Sequence, residues 1–139
     1  MQLKDIMRSP VIAVHPGESV EVAARTMTHY NIGFLPVCSG GRLCGVVTDR
    51  DMVTRCLAAG RDPGKTPISM VMTRQVVTAT PEMQTGVAAH LMGRRQIRRL
   101  PVVESGNLRG MVSLGDIAVQ EEGAIDAGDA LGEIASNLE

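Results

Sequence analysis

From Val20 the apolar side chains return at three- and four-residue intervals, through Ala23, Ala24 and Met27. Val87, Leu91 and Met92 repeat the spacing further along. Such a rhythm predicts two helices, each with one face in a core. Ser19 stands ready to cap the first of them, behind the Pro16-Gly17-Glu18 turn. Two short β-prone runs, Val11–Val14 and Val76–Ala79, precede the helices. Phe34–Cys38 and Leu43–Thr48 read as strands, as do Leu100–Val103 and Leu108–Ser113. Ser39-Gly40-Gly41-Arg42 and Glu104-Ser105-Gly106-Asn107 join them as hairpin turns. A helix is expected after each hairpin, over Asp49–Ala59 and Leu114–Glu121.

The two halves are copies. A shift of 65 residues carries Met7 onto Met72, Val11 onto Val76, Pro16 onto Pro81 and Met27 onto Met92 without a gap. It also carries Leu35-Pro36-Val37 onto Leu100-Pro101-Val102, Gly45 onto Gly110 and Asp51 onto Asp116. Self-similarity of this kind marks a duplicated folding unit. The order is β-α-β-β-α twice, an α+β fold. The expected division is repeat 1 at 1–60, a linker at 61–68 marked by the Pro- and Gly-rich stretch Gly60–Pro67, repeat 2 at 69–121 and a tail at 122–139. One copy alone would make a marginal core, so the copies are expected to pack as a pseudo-twofold pair. In the tail, Ala130, Leu131, Ile134, Ala135 and Leu138 keep helical spacing behind Asp129, a candidate cap.

Composition narrows the function. The chain has 139 residues, 44% of them hydrophobic and 21% charged, enough to bury a core. Lysine and arginine (14) nearly balance aspartate and glutamate (15), so the net charge is −1 and nucleic-acid binding is not indicated. Tyr30 and Phe34 are the sole aromatics, too few for base-stacking platforms. No run reaches the length of a membrane span, and the N-terminus lacks the apolar stretch of a secretory signal. A cytoplasmic protein is expected.

One motif occurs in both copies. Gly45-Val46-Val47-Thr48-Asp49-Arg50-Asp51 returns as Gly110-Met111-Val112-Ser113-Leu114-Gly115-Asp116. A strand ends, a hydroxyl follows, and a carboxylate stands three positions on at a helix start. One reading is structural: the hydroxyl and carboxylate form a capping box. The other is chemical: free helix N–H groups and the hydroxyl suit a phosphate, and the carboxylate suits a ribose diol.

These motifs, the Asp5-Ile6-Met7 and Met70-Val71-Met72 openings and the Leu-Pro-Val strands resemble a tandem pair of cystathionine-β-synthase (CBS) domains, over about residues 1–121. The resemblance implies a regulatory module that binds an adenosine-containing ligand (AMP, ADP, ATP or S-adenosylmethionine) in a cleft between the copies. It implies that Asp51 and Asp116 hold ribose and that Thr48 and Ser113 contact phosphate or ribose. Arg98 and Arg99, just before the second Leu-Pro-Val strand, would reach phosphates, whereas copy one has Gly33 and Phe34 there. Val11–Ala13 and Val76–Thr78 would line the adenine, with Val11, Ala13, Val76 and Thr78 as the expected contacts. A homodimer formed through the helices, signalling to a separate protein, is the expected assembly. No cofactor is required by this reading.

Other features have plainer accounts. Arg94, Arg95, Arg98 and Arg99 suit a solvated helix C-terminus or a phosphate. Cys38 and Cys44 flank the first hairpin turn, as reduced thiols, as a metal pair, or as a redox-responsive pair in a protein that binds no nucleotide. Cys56 is expected to be packed on a helix. His15, His29 and His90 lie far apart and suit surface or cap roles rather than a metal. Met7 and Met72 are expected to pack at the repeat interface. No nucleophile–base arrangement, phosphate-binding glycine loop or zinc-protease signature occurs, so an enzyme is not expected.

Overall fold

The computed structural model describes residues 1–120 and 124–136. Helix α1 spans Val20–Tyr30 and β1 and β2 span Phe34–Ser39 and Arg42–Thr48. Helix α2 is Asp49–Met52, and α3 is Thr85–Arg95. Strands β3 and β4 are Arg99–Glu104 and Asn107–Ser113, followed by α4, Leu114–Ala118, and α5, Ala124–Ser136. The content is α+β, and the repeat is visible in it.

Both hairpins turn as their sequences dictate. Gly40 and Gly41 have φ of 58° and 81°, and Ser105 and Gly106 have 52° and 83°. Paired positive φ values match the right-handed twist of the flanking strands. Leu35 faces Val47 and Leu100 faces Val112, so each Leu-Pro-Val strand lays apolar residues inward. Ser19 Oγ accepts the Val22 N–H at 3.2 Å, as its cap position demands. The corresponding cap of α3, Gln84, offers no such side-chain bond.

Several elements depart from expectation. Val11–Val14 and Val76–Ala79 are not strands: each pairs at a single residue, Val14 with Val37 and Ala79 with Val102. The Val14 N–H reaches the Pro36 carbonyl at 3.0 Å, a proline carbonyl left free to accept. The helix expected over Asp49–Ala59 is one α turn that continues as a π turn over Val53–Leu57. That over Leu114–Glu121 ends at Ala118, with Glu121 outside the described residues. Helix α5 begins at Ala124, so Asp129 lies inside it and caps nothing. It buries Ala127, Ala130 and Ile134, while Leu138 falls outside the described residues.

The contacts divide the chain at Val11/Ile12 and Val76/Val77, rather than near residues 60 and 69. One compact unit is Ile12–Val76, and the other joins Met1–Val11 to Val77–Glu139. Each hairpin thus receives the opening segment of the other sequence copy. Val46 exchanges both backbone hydrogen bonds with Thr73, at 2.9 and 2.8 Å, and Met111 exchanges both with Arg8, at 3.0 and 2.8 Å. The proposed linker is stitched into the first of these units, for Thr66 is buried and its carbonyl accepts the Val20 N–H.

Each unit has its own apolar centre. That of Ile12–Val76 gathers Val20, Ala23, Leu35, Val47, Ile68 and Val71. The other gathers Leu3, Ala88, Met92, Leu100, Ile117 and Ala130. Met72 and Met7 lie inside these units, and each packs on a strand of the other sequence copy, where the two repeats meet. A Cβ on Gly45 would stand 3.1 Å from Met72 Sδ, and one on Gly110 would stand 2.7 Å from Met7 Sδ. The strand glycine gives the thioether room. Helix α5 packs on α3 and α4. Gly93 permits this approach, since a Cβ there would lie 3.0 Å from Ala130 Cα. His90 Nε2 and Asp126 Oδ1, 3.1 Å apart, tie the same two helices.

Candidate functional site

The two motifs form the same local geometry, one in each unit. Thr48 Oγ1 accepts the Asp51 N–H at 3.1 Å, and Asp51 Oδ2 accepts the Thr48 N–H at 3.0 Å. Ser113 Oγ accepts the Asp116 N–H at 3.0 Å, and Asp116 Oδ2 accepts the Ser113 N–H at 2.9 Å. The capping box is therefore real in both copies. It consumes only one oxygen of each carboxylate. The second, Oδ1, takes no part in the cap, and the two side chains keep 13% and 14% of their exposure.

An arginine attends that second oxygen in each unit. Arg8 places Nη2 at 2.9 Å and Nε at 3.2 Å from Asp116 Oδ1. Arg55 places Nε at 3.9 Å from Asp51 Oδ1. Arg55 also donates from Nη1 to the carbonyls of Val71 and Met72, at 3.0 and 3.1 Å. Burial alone would push the Asp116 carboxyl up. The Arg8 hydrogen bond, the Ser113 hydrogen bonds and the Arg8 charge outweigh it and hold the carboxyl below its usual range. Arg55, one helical turn beyond Asp51, was legible as an i,i+4 pair. Arg8 was not, because nothing local links it to a residue 108 positions away.

Arg98 and Arg99 lead into β3 and sit over the start of α4, where the Leu114 N–H donates to the Arg98 carbonyl at 2.8 Å. With Ser113, they line a pocket of about 570 Å³. Leu114, Gly115 and Ala118 complete its floor, and α5 supplies a wall that the motif itself did not foretell. Asp116 does not line this pocket, nor do Val11 and Thr78. Val11 and Val76 are half-buried and Ala13 and Thr78 exposed, close in sequence to the residues that bridge β1 and β3.

Cys38, Cys44 and Cys56 are free thiols. Burial, and then the neighbouring Cys44, push the Cys38 thiol above its ordinary value of 9.0. Among the described residues, no group of three or more His, Cys, Asp or Glu side chains is arranged to hold a metal ion. No helix among them is long and apolar enough to cross a membrane.

The family model for the CBS domain matches residues 3–58 and 68–120. This chain belongs to the CBS domain family and carries two copies in tandem. The CBS domain-containing protein YhcV of Bacillus subtilis is 44% identical over 133 residues, 96% of this chain and 94% of its own length. The crystal structure of hypoxic response protein I, which holds two coordinated zinc ions, superposes with a TM-score of 0.78 at 34% identity, covering 85% of this chain and 97% of that one. The CBS domain pair of protein MJ0100, solved with 5′-methylthioadenosine and S-adenosylmethionine, gives a TM-score of 0.74 at 32% identity, covering 85% and 93%.

Proposed function

We propose that this CBS pair is a cytoplasmic regulatory module that binds an adenosyl ligand, with the ribose on Asp51 or Asp116. The observation that carries the reading is a motif carboxylate that each cap holds through one oxygen only. Each motif aspartate is fixed by its cap through Oδ2 and keeps Oδ1 beside a cation. A fixed, charged acceptor suits a vicinal diol, whose two O–H groups both donate. The adenosyl ligands of the MJ0100 pair support the class of molecule. AMP, ADP, ATP and S-adenosylmethionine are the candidates, and their phosphate or carboxylate groups would meet Arg98 and Arg99.

A ligand regulates only through different affinity for two arrangements. In this reading the signal passes to a separate protein, and the chain works as a homodimer. The exposed Val53 and Leu57 beyond α2 offer apolar surface for self-association.

A thermal-shift series with the four ligands tests the proposal. Ligand at about 100 times Kd should add roughly 2.7 kcal/mol of stability. If Asp51→Ala and Asp116→Ala both leave the shift intact, the ribose assignment fails.

A further inference from the structure

The starts of α2 and α4 share a capping box and differ in the amide that precedes its carboxylate. In the Ile12–Val76 unit the Asp49 N–H donates to the Gly33 carbonyl at 3.1 Å, the Arg50 N–H to Asp49 Oδ1 at 2.9 Å and the Asp51 N–H to Thr48 Oγ1 at 3.1 Å. Every first-turn donor of α2 through Asp51 is therefore taken. In the other unit the Leu114 N–H donates to the Arg98 carbonyl at 2.8 Å and the Asp116 N–H to Ser113 Oγ at 3.0 Å. Leu114 has no carboxylate to fold back, and the Gly115 N–H, equivalent to that of Arg50, has no acceptor among the described residues. Free helix donors attract an anion, whereas donors already bound to a carboxylate do not.

Asp49 also occupies the ground beside its helix. Its Oδ2 would lie 2.8 Å from a Cβ on Gly33, so the missing side chain is what lets the carboxylate rest there. Gly33 and Asp49 correspond to Arg98 and Leu114. Where one unit carries a guanidinium, the other lays a carboxylate over a glycine. Among the described residues no ion pair reaches that carboxylate, so no partner cancels its charge.

We infer that Asp49 sets the ligand class of the Thr48/Asp51 motif: an adenosyl group whose 5′ substituent is uncharged or cationic, a thioether or a sulfonium, with 5′-phosphates turned away. This assignment deepens the adenosyl reading and rests on it, because it places the 5′ substituent at the helix start, as that reading does for Arg98 and Arg99. A fixed carboxylate repels a phosphate, attracts a sulfonium and acts little on a neutral thioether. Repulsion of this kind makes a site specific against a near relative of its ligand. Asp49 is exposed, so the discrimination weakens as salt screens it.

Isothermal titration of the full Asp116→Asn chain tests the assignment, since that substitution leaves Asp51 as the motif carboxylate. At low salt 5′-methylthioadenosine should bind this chain about ten-fold more tightly than AMP, or better. Adding Asp49→Asn should close most of that gap by strengthening AMP. Asparagine keeps an oxygen for the Arg50 N–H, which preserves the helix start. Raising the salt concentration should narrow the same gap without any further substitution. AMP bound as tightly as 5′-methylthioadenosine, a gap that either treatment leaves unchanged, or loss of 5′-methylthioadenosine binding with Asp116→Asn alone would overturn the role of Asp49 and leave the adenosyl reading standing. If the parent chain binds neither ligand, or if 5′-methylthioadenosine binding survives Asp51→Asn together with Asp116→Asn, the ribose reading itself fails and the role of Asp49 falls with it.

Discussion

Arg8 and Asp116 are joined across 108 residues of chain by two hydrogen bonds to one carboxylate oxygen, at 2.9 and 3.2 Å. The pairing is not repeated in the other copy. The position corresponding to Arg8 in the other copy is Thr73, and the one corresponding to Arg55 is Gln120. Among the described residues, each motif aspartate thus has an arginine beside it, taken from a different place in each unit. In the Ile12–Val76 unit the cation comes from the helix, and Thr73 Oγ1 accepts from it at 3.3 Å. In the other unit it comes from the opening segment.

Removing that cation should show in the pH dependence of stability. The folded chain holds the Asp116 carboxyl below its ordinary value of 3.8. The stabilisation it brings is therefore present above that value and fades as pH falls through the lower folded one. Arg8→Ala should be less stable than the parent near neutral pH, with the gap closing in acid. Denaturant midpoints measured across a pH series check this. A gap that persists unchanged at low pH would mean that Arg8 acts through packing.

The hydroxyl caps should contribute to stability before any ligand binds. Ser113→Ala and Thr48→Ala each leave a first-turn N–H without its acceptor, and each should cost about 1 kcal/mol, within the 0.5–2 kcal/mol usual for a lost cap. Urea unfolding without ligand measures the cost.

The two strand glycines should respond unequally to alanine. At Gly45 a Cβ would sit 2.6 Å from the Thr73 carbonyl oxygen, which is held in place by its exchange with Val46. At Gly110 the nearest atom is Met7 Sδ, at 2.7 Å, which can swing aside, and the fixed Arg8 carbonyl oxygen lies farther off, at 3.0 Å. Gly45→Ala should be destabilising by about 1–3 kcal/mol, as overpacked sites are, and Gly110→Ala by less. Thermal unfolding of the pair gives the order.

Cys38 should be a slow nucleophile. Its thiol is held up by burial, so the thiolate is scarce at neutral pH. Alkylation by iodoacetamide should lag behind a free cysteine at pH 7 and gain on it as pH rises. A melting temperature that moves with diamide and with none of the adenosyl ligands would favour the redox-responsive reading of Cys38 and Cys44.

The local parts of this structure were legible in the sequence. Gly40 and Gly41 marked one hairpin, Ser105 and Gly106 the other, and the Thr48/Asp51 and Ser113/Asp116 spacing foretold both capping boxes. What could not be read was non-local. The repeat period places Met7 with the first copy, whereas its contacts place it on Gly110. Arg8 carries no periodic signal that points to Asp116. The β-prone runs Val11–Val14 and Val76–Ala79 had the right composition but find a pairing partner at one residue each. The apolar rhythm of α5 showed a helix without naming α3 and α4 as its seat, because Gly93 and Ala130 meet only in the folded chain.

Isothermal titration of 5′-methylthioadenosine into the parent chain and into the Asp51→Asn, Asp116→Asn and doubly substituted chains tests the central claim most directly. Asparagine keeps an oxygen for the cap but removes the charge offered to the diol. Heat of binding in the parent, with affinity lost at one or both single variants and absent in the double, is the predicted result. Equal affinity in all four chains would contradict the assignment of the ribose to these aspartates.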